Sequence, residues 1–294
     1  MSNGILYALM TLGMICWGSS WVSAKLLTSF AEPEVLAFWR FFLTWVTFIP
    51  VMLFMKKTFR INAKGLLTAL GASLLLVLYN EMFFTGLIYG LAGAGGILVT
   101  TLIPVLTFGL GCLFTFKVPT RKDSFGLLLG AIGAGIIMEI WKMDITLLLK
   151  SGNAYFLIAA ISWAFLTHTS ARANKYTSAY TYSFYLFFFT SFLDLLLVHS
   201  KGLTVILPSD TLFIANILLI AVGATTFGTT IYFVGTKALG SAKASSFIFL
   251  VPVIALAMSY IFLDETINLN TIVGGLSAIT AVYLINHKTK ARQP

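Results

Sequence analysis

The stretch AGGILVTTLIPVLTFGLGCLFTF (Ala94–Phe116) decides the fold class, because its 23 consecutive residues include no charged residue. The hydrocarbon core of a bilayer is about 30 Å thick, so an α-helix needs about 20 mostly apolar residues to cross it. A continuous apolar run favours a helix over a strand of a transmembrane β-barrel, which would alternate apolar and polar residues. The stretch therefore predicts a transmembrane helix.

The rest of the chain divides into similar segments. Of the 294 residues, 59% are hydrophobic and only 10% are charged, and the mean hydropathy is +0.94. Soluble domains carry about 25% charged residues, so the composition predicts an all-α integral membrane protein with ten transmembrane helices. The other nine helices are predicted at Gly4–Leu27, Glu34–Met55, Gly65–Tyr89, Ser124–Trp141, Gly152–Arg172, Tyr176–His199, Thr211–Thr236, Ser241–Leu263 and Asn268–His287.

An internal repeat appears when the chain is shifted by 148 residues. Five residue pairs then match in one register without gaps: Leu91 with Leu239, Ala94 with Ala242, Pro104 with Pro252, Val105 with Val253, and Gly126 with Gly274. Five helices per half is an odd number, so the halves are predicted to cross the membrane in opposite orientations. Such inverted repeats recur in secondary transporters, with the substrate bound between them near the midplane.

The repeat divides the chain into two units. We expect a first five-helix repeat at residues 1–141, a linker at 142–151, a second five-helix repeat at 152–287, and a cytoplasmic tail at 288–294.

The net charge of +9 is explained by membrane orientation. If the N-terminus is inside, fourteen Lys and Arg residues lie in inside segments, against Lys142, Lys150 and Lys201 outside. This positive-inside bias predicts a multi-pass protein of the cell inner (plasma) membrane with both termini cytoplasmic. It also argues against a nucleic-acid partner.

Four ionisable residues fall within predicted helices, where a charge usually faces the bundle interior or a cavity. At 1.5 Å per residue, Arg40 and Glu81 lie about 9 and 12 Å below the outer ends of their helices, and Lys25 lies close to the outer end of its own. Glu81 either forms a charge-compensating pair, which we expect with Arg40, or serves as a substrate or proton site. His168 either relays protons or is a buried, hydrogen-bonded histidine.

Two tryptophan-containing faces are candidates for substrate binding. Trp17, Ser20 and Trp21 share one face of the first helix, and Trp163 with Thr167 repeats the arrangement on the sixth. These tryptophans lie near the midplane, where they could stack on a ligand or only pack helices together. Further candidates on the third and eighth helices are Tyr79, Asn80, Glu81, Phe84 and Tyr232.

Pro104 and Pro252 are predicted to interrupt the backbone hydrogen bonds of the fourth and ninth helices. Freed carbonyls in a membrane need other donors. Hydroxyl groups shortly before the two prolines belong to Thr100, Thr101, Ser245 and Ser246. We interpret the prolines as hinges, with static kinks as the alternative.

Several motifs resemble a known family. In the first half they are Trp17-Gly18-Ser19-Ser20-Trp21 with Lys25, Pro33 followed by Arg40-Phe41, and the passage from Gly86 to Pro104. In the second half they are Ser162-Trp163-Ala164, the passage from Ala238 to Val253, and Phe262–Thr266 leading to Gly274-Gly275. Together they resemble the EamA family of the drug/metabolite transporter superfamily. One departure is Lys117, which stands where the second half has the acidic Glu265.

The resemblance implies ten helices around a central cavity and transport of small metabolites, commonly amino acids and commonly outward. We therefore expect a secondary transporter that exports amino acids or related compounds by alternating access. The alternative is an uptake carrier or exchanger for a vitamin, nucleoside or adenosyl-type metabolite.

The expected partners are a small-molecule substrate and membrane lipid. No enzyme activity, cofactor or metal is expected, because the histidines are not clustered and the glycine runs lack a phosphate-loop lysine. The sequence is compatible with a monomer and with proton coupling, and it decides neither.

Overall fold

The computed structural model describes residues 3–116, 118–142, 151–173, 175–239 and 246–286. Residues 143–150 of the predicted linker, the predicted tail, Lys117 and Ser245 lie outside this part of the chain.

The regular structure of the described residues is helical, without strands. The helices are α1 (Asn3–Leu27), α2 (Pro33–Phe54), α3 (Ala63–Tyr89), α4 (Ala92–Thr115), α5 (Arg121–Ile137), α6 (Asn153–Ala173), α7 (Ala179–Ser200), α8 (Thr211–Leu239), α9 (Leu250–Leu263) and α10 (Leu269–Asn286). Short 3₁₀ turns lie at Ile140–Lys142 and Ser246–Phe249. In the described chain, seven helices (α1–α4 and α6–α8) are long and apolar enough to cross a membrane, while α9 and α10 contribute shorter apolar segments.

Local sequence explains where several helices begin. Pro33 is the first residue of α2, a position where the missing N–H of proline costs no helical hydrogen bond. The Asn62 side chain accepts a 2.7 Å hydrogen bond from Gly65 N at the start of α3. Thr120 and Asp123 form a reciprocal capping box at the start of α5. These caps determine the first residue of each helix, which helix propensity alone does not.

The helices of the two halves pack mainly against each other. α1 contacts α8 and α9, while α6 contacts α3 and α4; α2 contacts α7 and α8, while α3 contacts α7. Two further pairs, α4 with α9 and α5 with α10, also join the halves. If α1–α5 are exchanged with α6–α10 in order, these contacts map onto one another.

Glycines permit the closest of these contacts. The Phe156 ring of α6 is fully buried and lies where Cβ atoms on Gly86 and Gly95 would be, within 2.6 and 2.5 Å of its ring carbons. Gly133 of α5 and Gly274 of α10 approach backbone to backbone. Small residues at such positions let membrane helices gain packing contacts that larger residues would prevent.

The bundle has two ends, which hydrogen bonds between helix termini identify. At one end Lys201, after α7, forms an ion pair with Glu34 in the first turn of α2. We call this the Glu34 end. At the opposite end Asn62 donates to Tyr176 O at 3.1 Å.

Candidate functional site

Four aromatic rings form a continuous row between α1, α3 and α6. Trp21 contacts Phe83 with ring centroids 4.8 Å apart, Phe83 contacts Tyr79 at 5.7 Å, and Tyr79 contacts Trp163 at 4.6 Å. We call Trp21, Phe83, Tyr79 and Trp163 the aromatic row. It joins the tryptophans of the two halves, and sequence reasoning missed Phe83, the ring that links them.

The aromatic row lies at mid-depth. Tyr79 is ten residues from the end of α3 at the Glu34 end, and Trp163 is ten residues from the start of α6 at the same end. Ten residues of helix span about 15 Å, which is half of a bilayer core about 30 Å thick. Phe84 is fully buried and packs edge-on against Phe83, so it stabilises the position of the Phe83 ring.

Trp17 faces α8 instead. Its ring lies 5.6 Å from that of Tyr232, and its Nε1 donates a 2.6 Å hydrogen bond to Ala224 O. The predicted hydroxyls beside these faces bond within their own helices: Ser20 donates to Trp17 O and Thr167 to Trp163 O. Trp17 therefore extends the candidate site toward α8, while these two hydroxyls are satisfied locally.

The middle of α8 is a π-helical segment, Leu219–Gly228, between α-helical segments. Wider turns leave carbonyl groups exposed to donors from neighbouring helices. Ala224 O accepts from Trp17, and Ala221 O accepts from the Thr44 hydroxyl of α2 at 3.2 Å. π-Helical turns occur frequently at functional sites. The apolar sequence of α8 gave no signal for this one.

Arg40 lies beside the aromatic row. Its Nη1 donates a 3.2 Å hydrogen bond to Asn80 Oδ1, and its guanidinium carbon is 5.4 Å from the ring centre of Phe83. Asn80 is itself held by a 2.7 Å hydrogen bond to Leu76 O. Asn80 thus positions the arginine, and the arginine places a positive charge against one wall of the row.

The predicted ion pair of Glu81 with Arg40 is not formed among the described residues. Successive residues of an α-helix point about 100° apart. Because Asn80 faces Arg40, the Glu81 side chain points in a different direction. Glu81 instead interacts with the Glu34 carboxyl, and its buried Oε1 has no hydrogen-bond partner in the described chain.

Asp194 of α7 is the acidic residue that sequence reasoning missed. It is fully buried, and neither carboxylate oxygen has a hydrogen-bond partner among the described residues. The charges that act on it are those of Glu81, Arg40 and Glu34. The signal was available, since Asp194 is the only acid of the 22-residue helix α7, and an acid within a membrane helix is a functional candidate by itself.

Lys25 and His168 hold helices together. Lys25 Nζ donates to the carbonyls of Leu87 and Gly90 at the end of α3, where a cation is favoured by the helix dipole. His168 Nε2 lies 2.9 Å from Thr107 O, which ties α6 to α4. The structure brings neither residue to the aromatic row.

The two prolines occupy different positions. Pro104 lies inside α4, but the hydroxyls of Thr100 and Thr101 bond to Gly96 O and Ile97 O rather than to the freed carbonyl of residue 100. Pro252, expected inside the ninth helix, is the third residue of α9. In this first turn a proline removes no helical hydrogen bond. Hinge motion at either proline stays a prediction.

Comparisons with known proteins place the chain in a family. The profile of the EamA-like transporter family matches residues 3–139 and again residues 150–287. Uncharacterized transporter YvbV of Bacillus subtilis (strain 168) is 25% identical over 282 residues, which cover 95% of this chain and 91% of that protein. An uncharacterized transporter of Archaeoglobus fulgidus is 21% identical over 291 residues, covering 96% and 99%.

A solved crystal structure shares the fold with a TM-score of 0.63 at 17% identity, covering 96% of each chain. The family profile spans nearly all of the sequence in two successive matches, and the helices of the two matched segments pack against each other. On these grounds the chain belongs to the EamA-like transporter family.

Proposed function

We propose that the protein is a secondary transporter that exports amino acids or related small metabolites by alternating access. Membership of the EamA-like family makes it a multi-pass membrane transporter and not an enzyme. The observation that carries the finer proposal is the aromatic row at mid-depth between the two halves, with the Arg40 guanidinium beside it.

The proposal includes an inverted repeat of two five-helix units, residues 1–141 and 152–287. The two matches of the family profile and the contacts that map onto one another when the halves are exchanged support it. Two pseudo-symmetric arrangements of similar energy could open one central site to opposite sides of the membrane in turn.

The residues beside the row favour an amino acid over an uncharged metabolite. A guanidinium binds a carboxylate through charge-assisted hydrogen bonds, and Arg40 Nε has no partner of its own among the described atoms. The rings of Trp21 and Trp163 can stack on an apolar side chain or cover an ammonium group. They would also stack on a nucleobase, which keeps the nucleoside or adenosyl substrate as the competing candidate. Export rather than uptake rests on the family resemblance.

The substrate class can be tested by ligand-induced stabilisation of the purified protein. We expect one or more amino acids to raise the unfolding temperature, because a ligand at a hundred times its Kd adds about 2.7 kcal/mol to the free energy of unfolding. Trp163→Ala and Trp17→Ala should lose most of that increment, measured from the unfolding temperature of each variant without ligand.

Trp141→Ala is the matched control, since Trp141 is 57% exposed in the turn after α5 and should retain the full increment. Stabilisation by a nucleoside or adenosyl compound alone would favour the competing substrate. An unchanged increment in both tryptophan variants would mean that these rings only pack helices. Vesicles loaded on one side with the stabilising compound would then give the direction of transport.

Orientation in the membrane is a separate prediction. We expect both termini and the end opposite to Glu34 to face the cytoplasm. A reporter active only outside the cytoplasm should be silent when fused to the C-terminus and active when inserted at Gly202, which lies after α7 with open space around it. The reverse pattern would show that the Glu34 end faces the cytoplasm.

A further inference from the structure

We infer that Asp194 and Glu81, together with Arg40, form a proton-binding site inside the membrane that is reached from the Glu34 end. The link from this site to transport rests on the proposed transporter function. The binding of the proton does not, because it follows from the charges and burial of this chain alone.

The site is built from three helices. Asp194 comes from α7, Glu81 from α3 and Arg40 from α2. Asp194 is completely shielded from solvent, yet both of its carboxylate oxygens lack a hydrogen-bond partner in the described chain. An ionised carboxylate in such surroundings is very unfavourable unless it is paired or hydrogen-bonded.

The local charges do not balance. Three carboxyl groups, those of Glu34, Glu81 and Asp194, share two cations, Arg40 and Lys201. Lys201 is bound to Glu34 and Arg40 acts on Asp194, so the described residues leave no cation for the third carboxyl. The other titratable groups that face this cluster are Tyr79, which acts on Arg40, and the exposed Glu32, which acts on Lys201. One proton shared by Glu81 and Asp194 makes the group neutral, as burial in hydrocarbon favours.

A route to the surface is present in the same residues. The Lys201 side chain is 55% exposed and is bound to Glu34, whose side chain is 7% exposed. Glu34 in turn interacts with Glu81, which lies eight residues, or about 12 Å, from the end of α3. Asp194 is six residues from the end of α7. Carboxyl groups thus follow one another from the Glu34 end into the bundle.

The site can influence the proposed substrate site through Arg40. The guanidinium lies 5.4 Å from the ring centre of Phe83 and also interacts electrostatically with Asp194. When the proton leaves, the Asp194 carboxylate neutralises more of the guanidinium charge. When the proton binds, the guanidinium charge can act on a substrate at the aromatic row. Proton binding and the binding of a charged substrate are therefore coupled through one arginine.

The proton can be observed directly by infrared spectroscopy of the full-length protein in vesicles. We expect the carbonyl stretching band of one protonated carboxylic acid at neutral pH, lost on titration to alkaline pH. Asp194→Asn and Glu81→Gln should each abolish the band at neutral pH, because either change leaves two carboxylates facing two cations. Arg40→Gln should have the opposite effect and increase the band.

Glu32→Gln is the matched control: it removes an acid at the same end of the bundle that is exposed to solvent, so the band should persist. A band that survives in both Asp194→Asn and Glu81→Gln, or a wild-type protein without a titrating band, would overturn the inference. Size-exclusion elution and helical circular dichroism identify variants that fail to fold. If Asp194→Asn fails to fold, the band in Glu81→Gln decides the test. No substrate is used, so a failed substrate screen leaves this result unaffected.

Discussion

Replacing Glu265 with alanine should lower the free energy of unfolding by about 2–6 kcal/mol, since an unsatisfied buried hydrogen-bonding group costs about 1–3 kcal/mol. The Glu265 carboxylate accepts hydrogen bonds from Ala92 N at 2.7 Å and from Gly93 N at 2.9 Å. All three residues are buried, so water cannot readily replace the lost acceptor. The first N–H groups of a helix have no acceptor within the helix, so the Glu265 carboxylate supplies it for Ala92 and Gly93.

The matched control is Asp210→Ala. Asp210 also accepts from two backbone N–H groups at the start of a helix, those of Leu212 and Phe213 at 2.7 and 3.2 Å, but it is exposed. Loss of an exposed cap costs about 1 kcal/mol. Unfolding in detergent, followed by tryptophan fluorescence, measures both changes. Equal losses for the two variants would show that the Glu265 cap is not buried in the working protein.

Gly274→Ala should destabilise the contact of α10 with α5 by about 1–3 kcal/mol, the usual cost of forcing an extra carbon into a packed interior. A Cβ at Gly274 would lie 2.6 Å from Gly133 O and 3.1 Å from Ile137 N. Both are backbone atoms, so no side-chain rotation can relieve the overlap and the two helices must separate. Gly133→Ala should behave alike, because its Cβ would lie 2.7 Å from Gly274 O.

The double variant distinguishes this explanation from a general loss of flexibility. Once one alanine has separated the helices, the second should cost less than it does alone, so the effects should not add. Gly71→Ala is the control, because its Cβ would have no neighbour within 4 Å. In that position alanine should be neutral or stabilise α3 by about 0.5–1 kcal/mol. A Gly274→Ala protein as stable as Gly71→Ala would show that α5 and α10 do not touch as described.

The helices were largely predictable, because each one depends mainly on the composition of its own segment. An apolar segment long enough to cross a bilayer has few alternatives to a helix, so most predicted ends lie within a few residues of those observed. The third helix begins at Ala63 rather than Gly65, because the Asn62 cap adds two residues that hydropathy does not detect. The ninth helix differs most among the described residues: Ser246–Phe249, predicted to belong to it, form a 3₁₀ turn, and the α-helix begins at Leu250.

The candidate site was predicted only in part. Trp21, Trp163 and Tyr79 were identified by residue type and depth, and Phe83 connects Trp21 to the other two in the structure. The partners of charged groups were not predicted, because depth in the membrane does not fix the direction in which a side chain points. Lys25 has the expected depth but binds the end of α3, and Arg40 binds Asn80 instead of the adjacent Glu81.

The sequence by itself determined that this protein is an all-helical membrane protein, because charge content and apolar segment length are properties of the chain that no packing can change. It also determined the family, through motifs spread over nearly its whole length. Only the tertiary structure decided that Asp194 joins Glu34, Glu81 and Arg40, and that Phe83 connects Trp21 to Tyr79 and Trp163. These residues lie on different helices. The rotation of each helix about its axis is set by its contacts with neighbouring helices, such as the contact of Gly133 with Gly274.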